Sequence, residues 1–120
     1  MSKKTLVLGA STNEARYSNM AIHRLRSQNI EVEAFGLREG MVADISINTE
    51  RKQYKDLDTI TLYVNPKRQQ EFYDYILQLQ PKRVIFNPGT ENSELISLLK
   101  ENGIEAEVAC TLVLLSMNQY

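Results

Sequence analysis

Gly9-Ala10-Ser11-Thr12-Asn13 stands directly after the apolar run Thr5-Leu6-Val7-Leu8. A glycine turn that closes a strand and leads into a helix gathers backbone N–H groups at one point. With the positive end of a helix dipole behind them, those donors favour a phosphate. The dinucleotide fingerprint G-x-G-x-x-G would place glycine at positions 9, 11 and 14. The chain has Gly9, Ser11 and Glu14 there, so a plain NAD cradle is disfavoured. A glycine at a strand end also serves as a tight turn with no ligand, and that reading stands beside the phosphate one.

Arg38 follows the second apolar run, in Phe35-Gly36-Leu37-Arg38. In NAD binders an acidic residue near this point bonds the ribose, whereas an arginine accommodates an added ribose phosphate. The guanidinium fork suits phosphate oxygens. NADP and coenzyme A both carry such a phosphate. The plain alternative is a solvated surface arginine, and Glu39 beside it weakens the local field. Asn65-Pro66 and Asn87-Pro88-Gly89 close two further strands. As caps and turns they need no ligand. As neighbours of Gly9 at one sheet edge they offer side-chain hydrogen bonds, and Gly89 permits close backbone approach.

Other chemistry has little support. His23, the only histidine, lies beyond the apolar positions of its helix and reads as a surface group. One His and one Cys make no familiar metal site, and the carboxylates lack the pairing that two-carboxylate hydrolysis needs. Cys110 reads either as a small buried hydrophobe or as a thiol at the ligand edge, placed to meet the thiol end of a cofactor.

The elements that must position these residues alternate between strand and helix. Residues 5–8 form a strand, and Ser18 reads as the N-cap of a helix that puts Ala21, Ile22 and Leu25 on one face. Residues 30–35, 58–64, 83–86 and 104–108 read as further strands, with 44–48 as a short edge strand. Asn65-Pro66 opens a helix whose Phe72, Tyr75, Ile76 and Leu79 share a face, and Pro81 stops it. Asn92 or Ser93 caps a helix carrying Leu95, Leu98 and Leu99, and Asn102-Gly103 ends it. The type of the apolar segment 110–117 stays open. The alternation predicts an α/β, Rossmann-like, doubly wound fold: a mostly parallel sheet of five to six strands with helices on both faces. In such sheets the ligand lies beyond the carboxyl ends of the strands, where the strand order reverses.

A length of 120 residues is that of one domain, spanning 1–120, with room for one core. The net charge of −1 gives no electrostatic case for nucleic acid or an anionic membrane. The lone cysteine fits a reducing compartment. Met1-Ser2-Lys3-Lys4 and the four apolar-run residues after it are too short for a secretory leader, so a cytoplasmic location is expected. The longest near-apolar stretch, 108–115, falls well short of a membrane span.

Taken together these motifs resemble the small stand-alone CoA-binding domain proteins, which share their fold with the CoA-binding domain of the succinyl-CoA synthetase alpha subunit. The matching segments are Val7-Leu8-Gly9-Ala10-Ser11, Arg16-Tyr17-Ser18-Asn19, Gly36-Leu37-Arg38-Glu39-Gly40 and Tyr63-Val64-Asn65-Pro66. Val84-Ile85-Phe86-Asn87-Pro88-Gly89-Thr90-Glu91 and Ala109-Cys110-Thr111 complete them. The resemblance implies that coenzyme A or an acyl-CoA is the ligand. It implies that Gly9, Ala10 and Ser11, with Ser18 and Asn19, cradle the phosphates, and that Arg38 lies near the 3′-phosphate. Tyr63 to Pro66 would wall the adenine and pantetheine, and Asn87, Pro88, Gly89 and Cys110 would form the pantetheine end. The synthetase loop after the second strand is richer in glycine and carries lysine where Arg38 stands, which alters the phosphate geometry. Nothing resembles the phosphohistidine domain or an ATP-grasp partner, so the ligase reaction does not carry over and binding without catalysis is expected. Two competitors remain: an NADP-dependent reductase, and a regulatory or interaction domain that has lost its ligand.

Overall fold

Thr5, Leu6, Val7 and Leu8 are all fully buried. A strand buried on both faces belongs inside a parallel sheet covered by helices on each side. The computed structural model describes residues 3–120 and places β1 (Thr5–Ala10) there. Met1 and Ser2, the start of the segment read as too short for a leader, lie outside the described residues.

The strands are β1, β2 (Val32–Gly36), β3 (Gly40–Val42), β4 (Ile45–Asn48), β5 (Thr59–Leu62), β6 (Arg83–Phe86) and β7 (Glu105–Val108). Their order in the sheet is β3-β4-β2-β1-β5-β6-β7. All neighbours are parallel except β3 against β4. The doubly wound α/β expectation therefore holds, with seven strands rather than five to six. The additional strand is β3, hidden in the sequence because three residues around Gly40-Met41-Val42 carry almost no periodic signal. It also corrects the edge-strand reading of 44–48: β4 is paired on both sides, and β3 takes the margin.

The helices are α1 (Tyr17–Ser27), α2 (Pro66–Gln69), α3 (Tyr73–Leu79), α4 (Ser93–Glu101) and α5 (Thr111–Ser116). Helices α1 and α5 pack against each other, and their Ile22, Leu25 and Leu115 close over Val7, Val32 and Ala34. On the opposite face Phe72, Ile76, Leu79, Leu95 and Leu99 cover Leu6, Leu8, Ile60, Leu62, Val84 and Phe86. The residues read as sharing the apolar faces of α1, α3 and α4 do so, with Leu98 only half-buried. Among the described residues no helix is long and apolar enough to cross a membrane.

Three local readings change. Arg16, not Ser18, holds the N-cap position of α1, and Ser18 is buried within its first turn. The helix read from Asn65-Pro66 to Pro81 is α2, a 3-10 turn (Gln70–Phe72) and then α3. The open segment 110–117 is the short helix α5.

Candidate functional site

The strand order reverses at β1, which leads to β2 on one side and β5 on the other. The carboxyl ends of β1 and β5 therefore flank the crevice where ligands of such sheets bind. Gly9 sits there at φ +104°, and a Cβ on it would lie 2.8 Å from the Tyr63 carbonyl oxygen. The register with β2 slips between Leu8 and Ala10. That extra residue reverses the side-chain alternation and puts Ala10 in the same core as Val7. Gly36 closes in from the other side, where a Cβ would come within 2.3 Å of the Ala10 carbonyl oxygen. No side chain fits in either gap, so the ends of three strands meet backbone to backbone.

Beyond Ala10 the chain folds into a chain of local hydrogen bonds. Ser11 Oγ accepts from the Asn13 N–H at 3.1 Å, Asn13 Oδ1 accepts from the Ala15 N–H at 2.9 Å, and Asn19 Nδ2 donates to the Ser11 carbonyl at 3.0 Å. Ser11 and Asn19 thus shape the loop from within, and Ser18 and Asn19 are buried beneath it. No side chain caps α1, and its first turn carries no acidic residue, which leaves the positive end of the helix facing the loop. The next loop lies alongside, since a Cβ on Gly40 would touch Thr12 Cγ2 at 2.4 Å. Arg38 belongs to that loop, is exposed, and makes no ion pair among the described residues.

A family model described as a CoA binding domain matches residues 3–116. The chain belongs to the CoA-binding domain family. It is 49% identical to an uncharacterized protein of known crystal structure, with a TM-score of 0.97 over 100% of this chain and 99% of that one. It is also similar to a conserved hypothetical protein from Pyrococcus furiosus, at 27% identity and a TM-score of 0.77 over 88% and 91% of the two chains. A Thermus thermophilus protein at 21% identity shares the fold, with a TM-score of 0.85 over 99% and 91%. No curated protein sequence matches the chain.

The far half of this CoA-binding domain's edge is built differently. Asn65 caps α2, its Oδ1 accepting from the Arg68 N–H at 2.9 Å, and Pro66 takes the first helical position. Asn87 is buried, and its carboxamide joins three elements. Nδ2 donates to Thr61 Oγ1 at 2.7 Å and to the Leu62 carbonyl at 2.9 Å, and Oδ1 accepts from the Thr111 N–H at 2.9 Å. Thr90 Oγ1 donates back to the Asn87 carbonyl. Asn87, read as a hydrogen-bond partner for a ligand, and the adjoining Thr90 therefore have their bonds inside the protein and hold the loop. Pro88 and Gly89 are exposed, and the space around Gly89 is open. The Gly89 N–H donates to Glu91 Oε1. Cys110 is half-buried at the N-cap of α5, at the same edge and close to Tyr63.

Tyr63 Oη is buried without a hydrogen-bond partner. Burial pushes its ionisation up to about 12, and the nearby Thr61 and Thr111 hydroxyls offset only part of that shift. The phenol is therefore neutral at physiological pH. His23 lies exposed on α1, as the sequence reading has it.

Three buried polar residues, Thr61, Thr111 and Gln69, have contacts that the sequence reading does not assign. Thr61 and Thr111 face each other with their hydroxyl oxygens 2.8 Å apart, under Tyr63. Gln69 is fully buried and bonds loops on both sides of it. Its signal is its spacing: it stands at i−3 and i−7 from Phe72 and Ile76, an apolar-face position filled by an amide.

Proposed function

We propose that this domain holds coenzyme A or an acyl-CoA across the carboxyl edge of its sheet and does not turn it over. The observation that carries the reading is the family match over residues 3–116, a span that includes every strand end along the crevice. In this reading the loop after β1 and the uncapped start of α1 receive the pyrophosphate. Arg38, free of intramolecular ion pairs among the described residues, reaches the 3′-phosphate from the adjoining loop. The Asn65-Pro66 and Pro88-Gly89 loops flank the pantetheine arm, whose thiol end lies toward Cys110. The groups on hand support binding without turnover. The Tyr63 phenol is held neutral, the Asn87 carboxamide is engaged within the protein, and the histidine lies out on α1.

Thermal unfolding with added ligand tests the reading. A ligand at 100 times its dissociation constant adds about 2.7 kcal/mol to stability, a shift of several degrees in a domain of this size. CoA and acetyl-CoA should raise the midpoint, and NADPH at the same concentration should not. An unchanged midpoint in millimolar CoA overturns the proposal, and stabilisation by NADPH alone favours the reductase alternative.

A further inference from the structure

Gln69 comes from the last position of α2, yet its bonds are made to the two loops that end β5 and β6. It is fully buried. Nε2 donates to the Val64 carbonyl at 2.7 Å and to the Thr90 carbonyl at 2.8 Å. Its Oε1 accepts from Asn92 Nδ2 at 2.9 Å, and Asn92 is itself fixed by Tyr73 Oη and by capping α4. Both amide hydrogens and the carbonyl are thus committed, which sets the rotamer.

The consequence lies in the peptide units beyond those carbonyls. Every described peptide bond is trans, and in a trans unit the N–H points opposite to the C=O. With the Val64 and Thr90 carbonyls drawn inward to Gln69, the N–H groups of Asn65 and Glu91 turn outward. Both residues are exposed. Two outward donors at neighbouring strand ends match an amide-bearing ligand arm. They match a phosphate poorly, because one of them belongs to Glu91, whose carboxylate is held at this loop by the Gly89 N–H at 2.8 Å. The phosphate-favouring features lie on the other side, at α1 and Arg38.

We infer that Gln69 is a positioning residue for ligand binding: it aims the Asn65 and Glu91 N–H groups at the amide arm of the bound cofactor. The inference rests on the CoA reading and deepens it. Without Gln69 the two loops lose their shared tether, and the donors lose their common direction.

The test separates the two halves of the ligand. Wild type and Gln69→Met, which keeps the volume but removes both donors, are titrated with CoA and with 3′-phosphoadenosine 5′-phosphate, which lacks the pantetheine arm. The variant should bind CoA about tenfold more weakly and the truncated ligand within twofold of wild type. Equal losses for both ligands, or undiminished CoA affinity in a folded variant, overturn the positioning role. Amide exchange on the unmodified protein gives a second reading that needs no variant. CoA, but not the truncated ligand, should slow exchange at the Asn65 and Glu91 N–H groups, and unchanged exchange at both overturns the inference. If wild type binds neither ligand, it is the CoA reading itself that fails.

Discussion

The two halves of the carboxyl edge are held together by opposite means. On the β1–β2 side the close contacts exist because side chains are missing: Gly9 and Gly36 let backbone meet backbone. On the β5–β6 side they exist because two buried carboxamides, Asn87 and Gln69, bridge loops that would otherwise part. The first half presents a helix start and an exposed arginine, features for anions. The second presents neutral amides around an acidic side chain. Each half is therefore vulnerable to a different substitution: an added methyl on one side, a removed amide on the other.

The sharpest way to break the second half is Asn87→Leu. It leaves the Thr61 hydroxyl, the Leu62 carbonyl and the Thr111 N–H short of a partner in a buried position, and each unpaired group costs about 1–3 kcal/mol. We expect a loss of about 4 kcal/mol by urea denaturation; a loss under about 1 kcal/mol would mean the site relaxes to let water in. On the first half, Gly36→Ala forces a Cβ to 2.3 Å from a carbonyl oxygen. Overpacking of this kind costs about 1–3 kcal/mol. Gly89→Ala provides the contrast: its φ of +90° disfavours a side chain, but nothing stands in the way. Its cost should be about 1 kcal/mol, set by backbone strain alone. If Gly36→Ala proves no worse than Gly89→Ala, close approach is not what the first half depends on.

Alkaline pH probes the wall between the halves. Tyr63, with ionisation pushed up to about 12, is neutral in the folded state where the unfolded chain has already ionised. Its contribution is fully present below pH 10 and is lost as pH rises from 10 through about 12. The loss amounts to about 2.7 kcal/mol at most. Tyr63→Phe should flatten that decline. At pH 7 it should leave stability unchanged or raise it by about 1 kcal/mol, since the hydroxyl it removes has no partner. A marked loss at pH 7 would show that the hydroxyl is hydrogen-bonded after all. Burial also raises the ionisation of Tyr75 and Tyr120, so some alkaline decline remains in the variant.

The sequence makes the first half more legible than the second. A single glycine after an apolar run is visible, and so is a second one in Phe35-Gly36. Strand alternation and the helix faces of α1, α3 and α4 follow from periodicity, because burial there repeats regularly. The β3–β4 hairpin is only half legible: β4 is read as a short strand, but its partner β3 runs only three residues. Asn87 is visible as a motif residue, but whether its amide faces a ligand or the interior depends on Thr61 and Thr111, 26 and 24 positions away. Gln69 looks like any helix glutamine until tertiary packing encloses it. Ser18 looks like a cap because its type suits one, yet the chain enters α1 two residues earlier and the serine is buried.

The smallest structural effect should accompany the most direct functional one. Arg38→Ala should change stability by less than about 0.5 kcal/mol, because the side chain is exposed. Calorimetric titration of wild type and this variant with CoA and 3′-dephospho-CoA tests the central claim. The account predicts that wild type prefers CoA by about tenfold, the scale of a charge-assisted contact, and that the variant loses the preference while still binding both. Absence of heat with CoA in the wild type would contradict the account, and an equal loss for both ligands in the variant would take Arg38 away from the 3′-phosphate.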